Sequence, residues 1–289
     1  MAIKIITDTA CDLPKELIES LNIEALPIWV IIEEQEYLDG DTLKSEELYS
    51  KMRSGAVVKT AQINYKQFMT AFEKCLDNGD TIICMPFSKE LSGTYQTATL
   101  VKNDLLDKYP DADINIVDTN CVLLGLGMMV IEAAQMAKAG GDKEKIFEMI
   151  EWRKNHTEHV FTVDNLEYLC RGGRLSKTEA MVGSLLNIKP VLDVENGKLI
   201  PLEKKRGRMK SIKRLVELID ERGQDLENQT IGISHCDDES ISQKIKEAIL
   251  KNHPNQKFLV TNTSAAIGAH MGPGGVAIFF MNDKEPKYL

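Results

Sequence analysis

Apolar positions along the first half of the chain follow two alternating rhythms. Ile3 to Asp8 is a short β-rich run, and Asp12-Leu13-Pro14 after it reads as a helix start with Asp12 as cap and Pro14 inside the first turn. Residues 24–37 are rich in β-branched and aromatic side chains, and helical spacing follows over 45–53 and 65–76. A buried strand is predicted over 81–85, a helix over 94–108, a strand over 114–117, and helices over 123–139 and 143–154. Alternation of this kind predicts a mostly parallel sheet with helices on its faces, an N-terminal three-layer α/β domain over residues 1–157.

The rhythm changes near His156. Val160 to Val163 is strand-like, Arg171 to Arg174 (RGGR) is a glycine hinge, and Ser176 to Leu186 has helical spacing. Two β-rich runs, 189–193 and 198–202, flank Asn196-Gly197, a pair that favours the tight turn of a β-hairpin. A helix over 209–222, a strand over 230–235, a helix over 239–252 and strands over 258–262 and 276–281 complete a C-terminal α+β two-layer domain, residues 158–289.

Composition narrows the function classes. The 289 residues are 43% apolar and 27% charged, enough for folded cores, and the net charge of −9 repels nucleic acid and anionic lipid headgroups. The longest nearly apolar run, Cys121 to Ile131, is too short for a transmembrane segment, and acids within the first twelve residues interrupt any secretion signal, so a cytoplasmic protein is expected. The six cysteines contain no CxxC pair and read as reduced thiols.

The segment Leu91-Ser92-Gly93-Thr94 falls where a buried strand gives way to a helix, so free N–H groups and the positive end of the helix dipole meet the Ser92 hydroxyl there. It serves either as an anion seat or as an ordinary helix cap. Thr60, between two predicted helices, offers a second hydroxyl or a turn residue. His270 lies in a glycine-rich loop, Ala269 to Gly275, as a donor to an anion or as a satisfied loop residue. His156 with His159, and His235 with Cys236 and Asp237, lack a third ligand at a recognised spacing, and no metal is expected. Lys204, Lys205, Arg206, Arg208, Lys210, Lys213 and Arg214 form a basic run, either a solvated face or a docking surface for an acidic partner. Ile28, Trp29, Leu123, Leu126, Met128, Met129, Leu185 and Leu186 are candidate lining for an apolar tunnel or plain core.

Six blocks in order, Asp8-Thr9-Ala10-Cys11-Asp12-Leu13, Thr60-Ala61-Gln62, Leu91-Ser92-Gly93-Thr94-Tyr95, residues 166–174 (LEYLCRGGR), Lys189-Pro190 and residues 268–274 (GAHMGPG), resemble the DegV family over about residues 3–282. The resemblance implies a non-catalytic, two-domain protein that binds a long-chain fatty acid without a cofactor, for transport or for presentation to an ATP-using fatty acid kinase subunit. It also implies that Thr60, Ser92 and the Gly93 N–H hold the carboxylate, that Arg171 and His270 extend that network, and that Arg174 and Arg206 meet the kinase partner. Many relatives carry TSQP where this chain has Thr60-Ala61-Gln62-Ile63, and a serine pair at Phe87-Ser88.

Two rivals remain open from the residues. One is an enzyme, a hydrolase using Ser92 with His270 or a phosphoryl-transfer catalyst using Asp8; the chain lacks the GxSxG elbow and the spacing of a DxD phosphatase. The other is a regulatory module whose basic run is the working surface.

Overall fold

A computed structural model describes residues 2–176 and 187–288. The helix expected over Ser176–Leu186, and with it Leu185 and Leu186, falls almost wholly outside the described residues.

Thirteen described strands form three sheets. Strands β1 (Ile3–Asp8), β2 (Glu24–Leu26), β6 (Thr81–Cys84) and β7 (Ile114–Ile116) make a four-stranded sheet of order β2-β1-β6-β7, parallel throughout. Helices α3 (Tyr65–Asp77) and α4 (Thr94–Lys108) pack on β6 and β7, and α5 (Leu123–Lys138) packs on β1. The apolar run at 24–37 divides into β2, β3 (Trp29–Ile32) and β4 (Gln35–Leu38); β3 lies between β4 and β5 (Val58–Ala61) in a small antiparallel sheet. Helices α1 (Lys15–Ser20) and α2 (Ser45–Arg53) complete this half.

After α6 (Lys143–His156) the chain moves into a six-stranded mixed sheet of order β10-β9-β8-β13-β11-β12, built from β8 (Thr157–Thr162), β9 (Ile188–Glu195), β10 (Lys198–Arg206), β11 (Thr230–His235), β12 (Lys257–Asn262) and β13 (Val276–Met281). The hairpin turn forms as expected, with Asn196 at φ 49° and Gly197 at φ 78°, the left-handed pair that a two-residue turn requires. Alternation along β13 shows how the sheet is covered. Val276, Ile278 and Phe280 join the core under α8 (Arg208–Arg222) and α9 (Glu239–Leu250), whereas Ala277 and Phe279 join the larger core that contains α5. Helix α5 is therefore shared between the parallel and the mixed sheet, which is why it is buried on nearly every side rather than amphipathic.

Helix α7 (Glu167–Arg171) follows β8, and α10 (Ala265–Met271) connects β12 to β13. Although it belongs to the C-terminal half of the sequence, α10 packs on α2, α7, β3 and β5. Tyr49 of α2 donates its hydroxyl to Thr263 O at 3.3 Å, and a Cβ on Gly268 would collide with the Tyr49 ring.

Two local expectations are corrected. Asp12 does not cap α1: Pro14 occupies that position without a side-chain bond, and the Asp12 carboxylate instead accepts the Ser264 N–H at 2.9 Å. His270 is not on a loop but in the last turn of α10.

Candidate functional site

Thr60, Ser92, Gly93 and His270 come from four distant parts of the chain and meet at one cavity of about 370 Å³. Its other walls are mainly apolar, with Ala10, Ile28, Phe87, Leu123, Phe161 and Leu199 among them. The volume lies in the range of pockets that bury small organic ligands, and the pattern is that of a mostly greasy chamber with a few convergent polar groups.

Each polar group has a structural reason for its place. Thr60 lies on β5, paired with Val30 of β3, and not on a connection between helices; Asn64 and Gln67, a reciprocal capping box, start α3 without it. Its hydroxyl lies 2.7 Å from His270 Nε2. Burial, with Arg174 adding its charge nearby, pushes the imidazole down to about 3, so His270 is neutral near pH 7. His270 Nδ1 is buried without a partner.

Ser92 ends a turn in which its N–H and that of Leu91 both donate to Ser88 O at 3.1 Å. The hydroxyl accepts the Thr94 N–H at 3.3 Å and lies 2.9 Å from Thr94 Oγ1, so it combines a capping contact with exposure to the cavity. Gly93 is the N-cap of α4, at the end of the helix where backbone N–H groups lack intrahelical partners. A Cβ at Gly93 would meet the end of the Gln62 side chain, whose amide donates to Thr97 Oγ1 at 2.7 Å and would have to move aside.

The two arginines of the RGGR block occupy places opposite to those the resemblance implies. Arg171, expected in the carboxylate network, does not line the cavity; it ends α7 and pairs with Glu167 at 2.6 Å on the surface. Arg174, expected at a partner surface, lines the cavity and donates to Leu91 O at 3.1 Å and to Gly172 O. Arg206 is exposed at the end of β10, and its side chain makes no hydrogen bond or ion pair with another described residue. Within the basic run around it, Arg208 binds Asp164 and Asp238, Arg214 binds Glu203, Glu217 and Glu221, Lys205 binds Glu203 and Lys213 binds Glu217. Most of that positive charge is thus neutralised locally.

Of the lining expected from sequence, Ile28 and Leu123 reach the cavity. Trp29 instead donates its indole N–H to Gln67 at 2.8 Å, and Leu126 and Met129 are core. Met128 borders a separate, more polar cleft.

Three buried carboxyls missing from the expected site hold its pieces in register. Asp8 accepts the N–H groups of Ala10 and Phe87 at 3.1 and 2.8 Å, and thereby fixes the loop leading to Ser92. Asp12 and Asp39 accept the N–H groups of Ser264 and Ala265, at 2.9 and 2.8 Å, at the start of the helix that carries His270. Burial raises all three, Asp8 to about 7, Asp12 to about 8 and Asp39 to about 6, and the Asp39 charge adds to the first two.

The geometry does not assemble the hydrolase alternative. Ser92 turns to Thr94 and His270 to Thr60, and no carboxylate orients His270 Nδ1. Asp8 is fully buried and engaged with backbone donors. Among the described residues no group of three or more His, Cys, Asp or Glu is placed to hold a metal ion. His159 donates Nδ1–H to Thr157 O at 3.0 Å, and its Nε2 lies 3.4 Å from the Val122 N–H; burial pushes it down to about 4. No described helix is long and apolar enough to cross a membrane.

Comparison with known proteins agrees with the ordered blocks. A family model described as "Uncharacterised protein, DegV family" matches residues 2–283. A DegV domain-containing protein of Clostridium perfringens is 41% identical over 286 residues, covering 98% of each chain. Among solved structures, the Thermus thermophilus protein described as "Fatty Acid Binding of a DegV family Protein" superposes with a TM-score of 0.89 at 28% identity, covering 96% of this chain and 99% of that one. The Streptococcus pneumoniae Fatty Acid Kinase (Fak) B3 protein, loaded with linoleic acid, superposes with a TM-score of 0.86 at 26% identity, covering 98% and 100%. With residues 2–283 matched and the fold shared, the chain belongs to the DegV family.

Proposed function

We propose that this protein binds one long-chain fatty acid, its carboxylate at Thr60, Ser92, the Gly93 N–H and His270, and its acyl chain along the apolar walls of the cavity. The observation that carries this reading is the single chamber in which these polar groups converge while most of the remaining lining is aliphatic or aromatic. Each buried methylene contributes about 0.8 kcal/mol, so the tail supplies the affinity. A carboxylate is costly to bury unless several donors meet it, so the polar end fixes orientation. The Thermus thermophilus and Streptococcus pneumoniae neighbours, described as fatty-acid-binding and as loaded with linoleic acid, support the same ligand class.

The protein carries its ligand without transforming it, needs no cofactor, and works in the cytoplasm by presenting the carboxylate to a separate ATP-using kinase subunit. The Fak B3 description of a close structural neighbour supports such a partner. Docking falls to the face bearing Lys204, Arg206 and Lys210, the exposed cations of the basic run that have no ion pair among the described residues. The carboxylate-bearing unit is residues 1–157, and residues 158–289 close it through α10 and the β9–β10 hairpin.

Lipid extracted from the purified protein and identified by mass spectrometry is expected to be a free fatty acid. Thr60→Ala combined with Ser92→Ala is expected to empty the site without unfolding the protein. Absence of any fatty acid, both as purified and after incubation with oleate, overturns the function. Arg206→Ala is expected to keep the lipid and to lower acyl-phosphate formation with kinase subunit and ATP; unchanged formation removes the docking face.

A further inference from the structure

Gln62 is exposed to solvent and also lines the cavity, so it stands at the rim where the polar end of the chamber meets the outside. Two neighbours hold its side chain there. Nε2 donates to Thr97 Oγ1 at 2.7 Å, and the Thr97 hydroxyl that accepts this bond donates in turn to Gly93 O at 3.3 Å. Oε1 takes the place where a Cβ on residue 93 would lie, a place that the absence of a side chain at Gly93 leaves open. The side chain thus crosses Gly93, from the segment that supplies Thr60 to the helix that begins after Ser92.

That bridge is closed but not locked. Its hydrogen bond joins exposed groups, and such a bond exchanges for water at small net cost. The backbone beside it is fixed, by Ile63 in the core and by the capping box that starts α3 at Asn64, so the side chain can turn outward while Thr60 and Ser92 keep their places. We propose that Gln62 is a size filter over the head-group seat: held against Thr97, it leaves room for a planar carboxylate and stands in the way of a larger, tetrahedral head such as a phosphate. This rests on the fatty-acid reading above and adds to it a discrimination between the free acid and a phosphorylated lipid of the same chain. Gln62 is neutral and favours neither head by charge, so the selectivity comes from exclusion. A head that outgrows the seat turns Gln62 outward and loses the Thr97 bond.

The test is the ratio of affinities for oleate and for oleyl phosphate, two anions with the same chain length and double bond, measured by calorimetry on the full chain with no partner present. Wild-type protein is expected to favour oleate. Gln62→Ala is expected to lower that ratio about tenfold, chiefly through tighter binding of oleyl phosphate. Thr97 does not line the cavity, so Thr97→Val cuts the bond that holds the amide and leaves the lining as it is; it is expected to lower the ratio about threefold. The double variant is expected to go no further than Gln62→Ala alone, because both residues act through one bridge. A ratio unchanged in Gln62→Ala overturns the filter, as does a wild-type protein with no preference for oleate. A parallel loss of both ligands also overturns it and marks Gln62 as a contact of the head. A ratio lowered by Gln62→Ala and untouched by Thr97→Val overturns the part given to the bridge. Wild-type protein that binds neither ligand overturns the fatty-acid reading itself, a separate result.

Discussion

Gly172 packs so closely against His270 that a Cβ on it would collide with the imidazole Nδ1. Its neighbour Gly173, at φ 74°, has nothing within 4 Å of the same position. The two glycines of the RGGR block therefore meet different constraints, one of proximity and one of backbone conformation. Gly172→Ala is expected to push the ring off Thr60, costing about 1–3 kcal/mol of stability and most of the oleate affinity. Gly173→Ala is expected to cost about 1 kcal/mol from left-handed strain and to leave binding intact. Thermal melts with oleate titrations compare them, and equal binding losses would refute the distinction.

The three buried carboxyls Asp8, Asp12 and Asp39 make stability fall as pH rises. Unfolded, these carboxyls titrate near 3.8, whereas folded Asp39 titrates at about 6, Asp8 at about 7 and Asp12 at about 8. Below 3.8 both states hold the proton and no penalty arises. Between that value and the folded values the native state holds more protons than the unfolded chain, so their contribution is lost progressively up to about pH 8 and is flat beyond. Asp39→Asn keeps an oxygen for the Ala265 N–H and removes the charge. It is expected to recover on the order of 3 kcal/mol at pH 8.5 relative to pH 4. Urea denaturation at both pH values measures this, and a wild-type slope in the variant would count against a buried charge at Asp39.

Much of the fold was legible because long periodic segments report their own burial. Helices α2 and α4 run over 45–53 and 94–108 as the spacing predicts, and Asn196-Gly197 turns the hairpin. The site was only partly legible. Strand β5 has four residues, too few to show alternation, so Thr60 looks like part of a connection. Helix α10 is small-residue, seven residues long and buried on most sides, so it has no polar face to reveal its period, and His270 looks like a loop residue. Asp39 carries no local signal, since its partner is 226 residues away. Residue spacing likewise cannot tell which arginine of the RGGR block turns inward, because that depends on the end of α7 and on the carbonyl at Leu91.

The β9–β10 hairpin closes one side of the cavity, and two contacts hold its tip. Ser88 Oγ donates to Gly197 O at 2.9 Å, and Lys198 pairs with Glu90 at 3.2 Å, while Leu199 next to them lines the cavity. The exposed ion pair contributes little and the buried hydroxyl bond about 1 kcal/mol. Ser88→Ala with Glu90→Ala is expected to lower stability by about 1–2 kcal/mol and to speed oleate release several-fold. Stopped-flow transfer of ligand to albumin reads the rate, and an unchanged rate at lowered stability would mean that the tip braces the fold without gating the ligand.

Phe87 lines the cavity together with the loop that carries Ser92. Its backbone N–H is held by Asp8 at 2.8 Å, so a side-chain exchange leaves the loop anchored. Replacing a buried aromatic ring with a hydroxymethyl group enlarges the cavity at a cost of roughly 3 kcal/mol in the empty protein. A longer or kinked tail refills that space, so Phe87→Ser is expected to shift the co-purified lipid toward bulkier acyl chains and to regain melting temperature when one is added. A lipid profile identical to wild type would show that Phe87 does not set which acyl chain the cavity accepts.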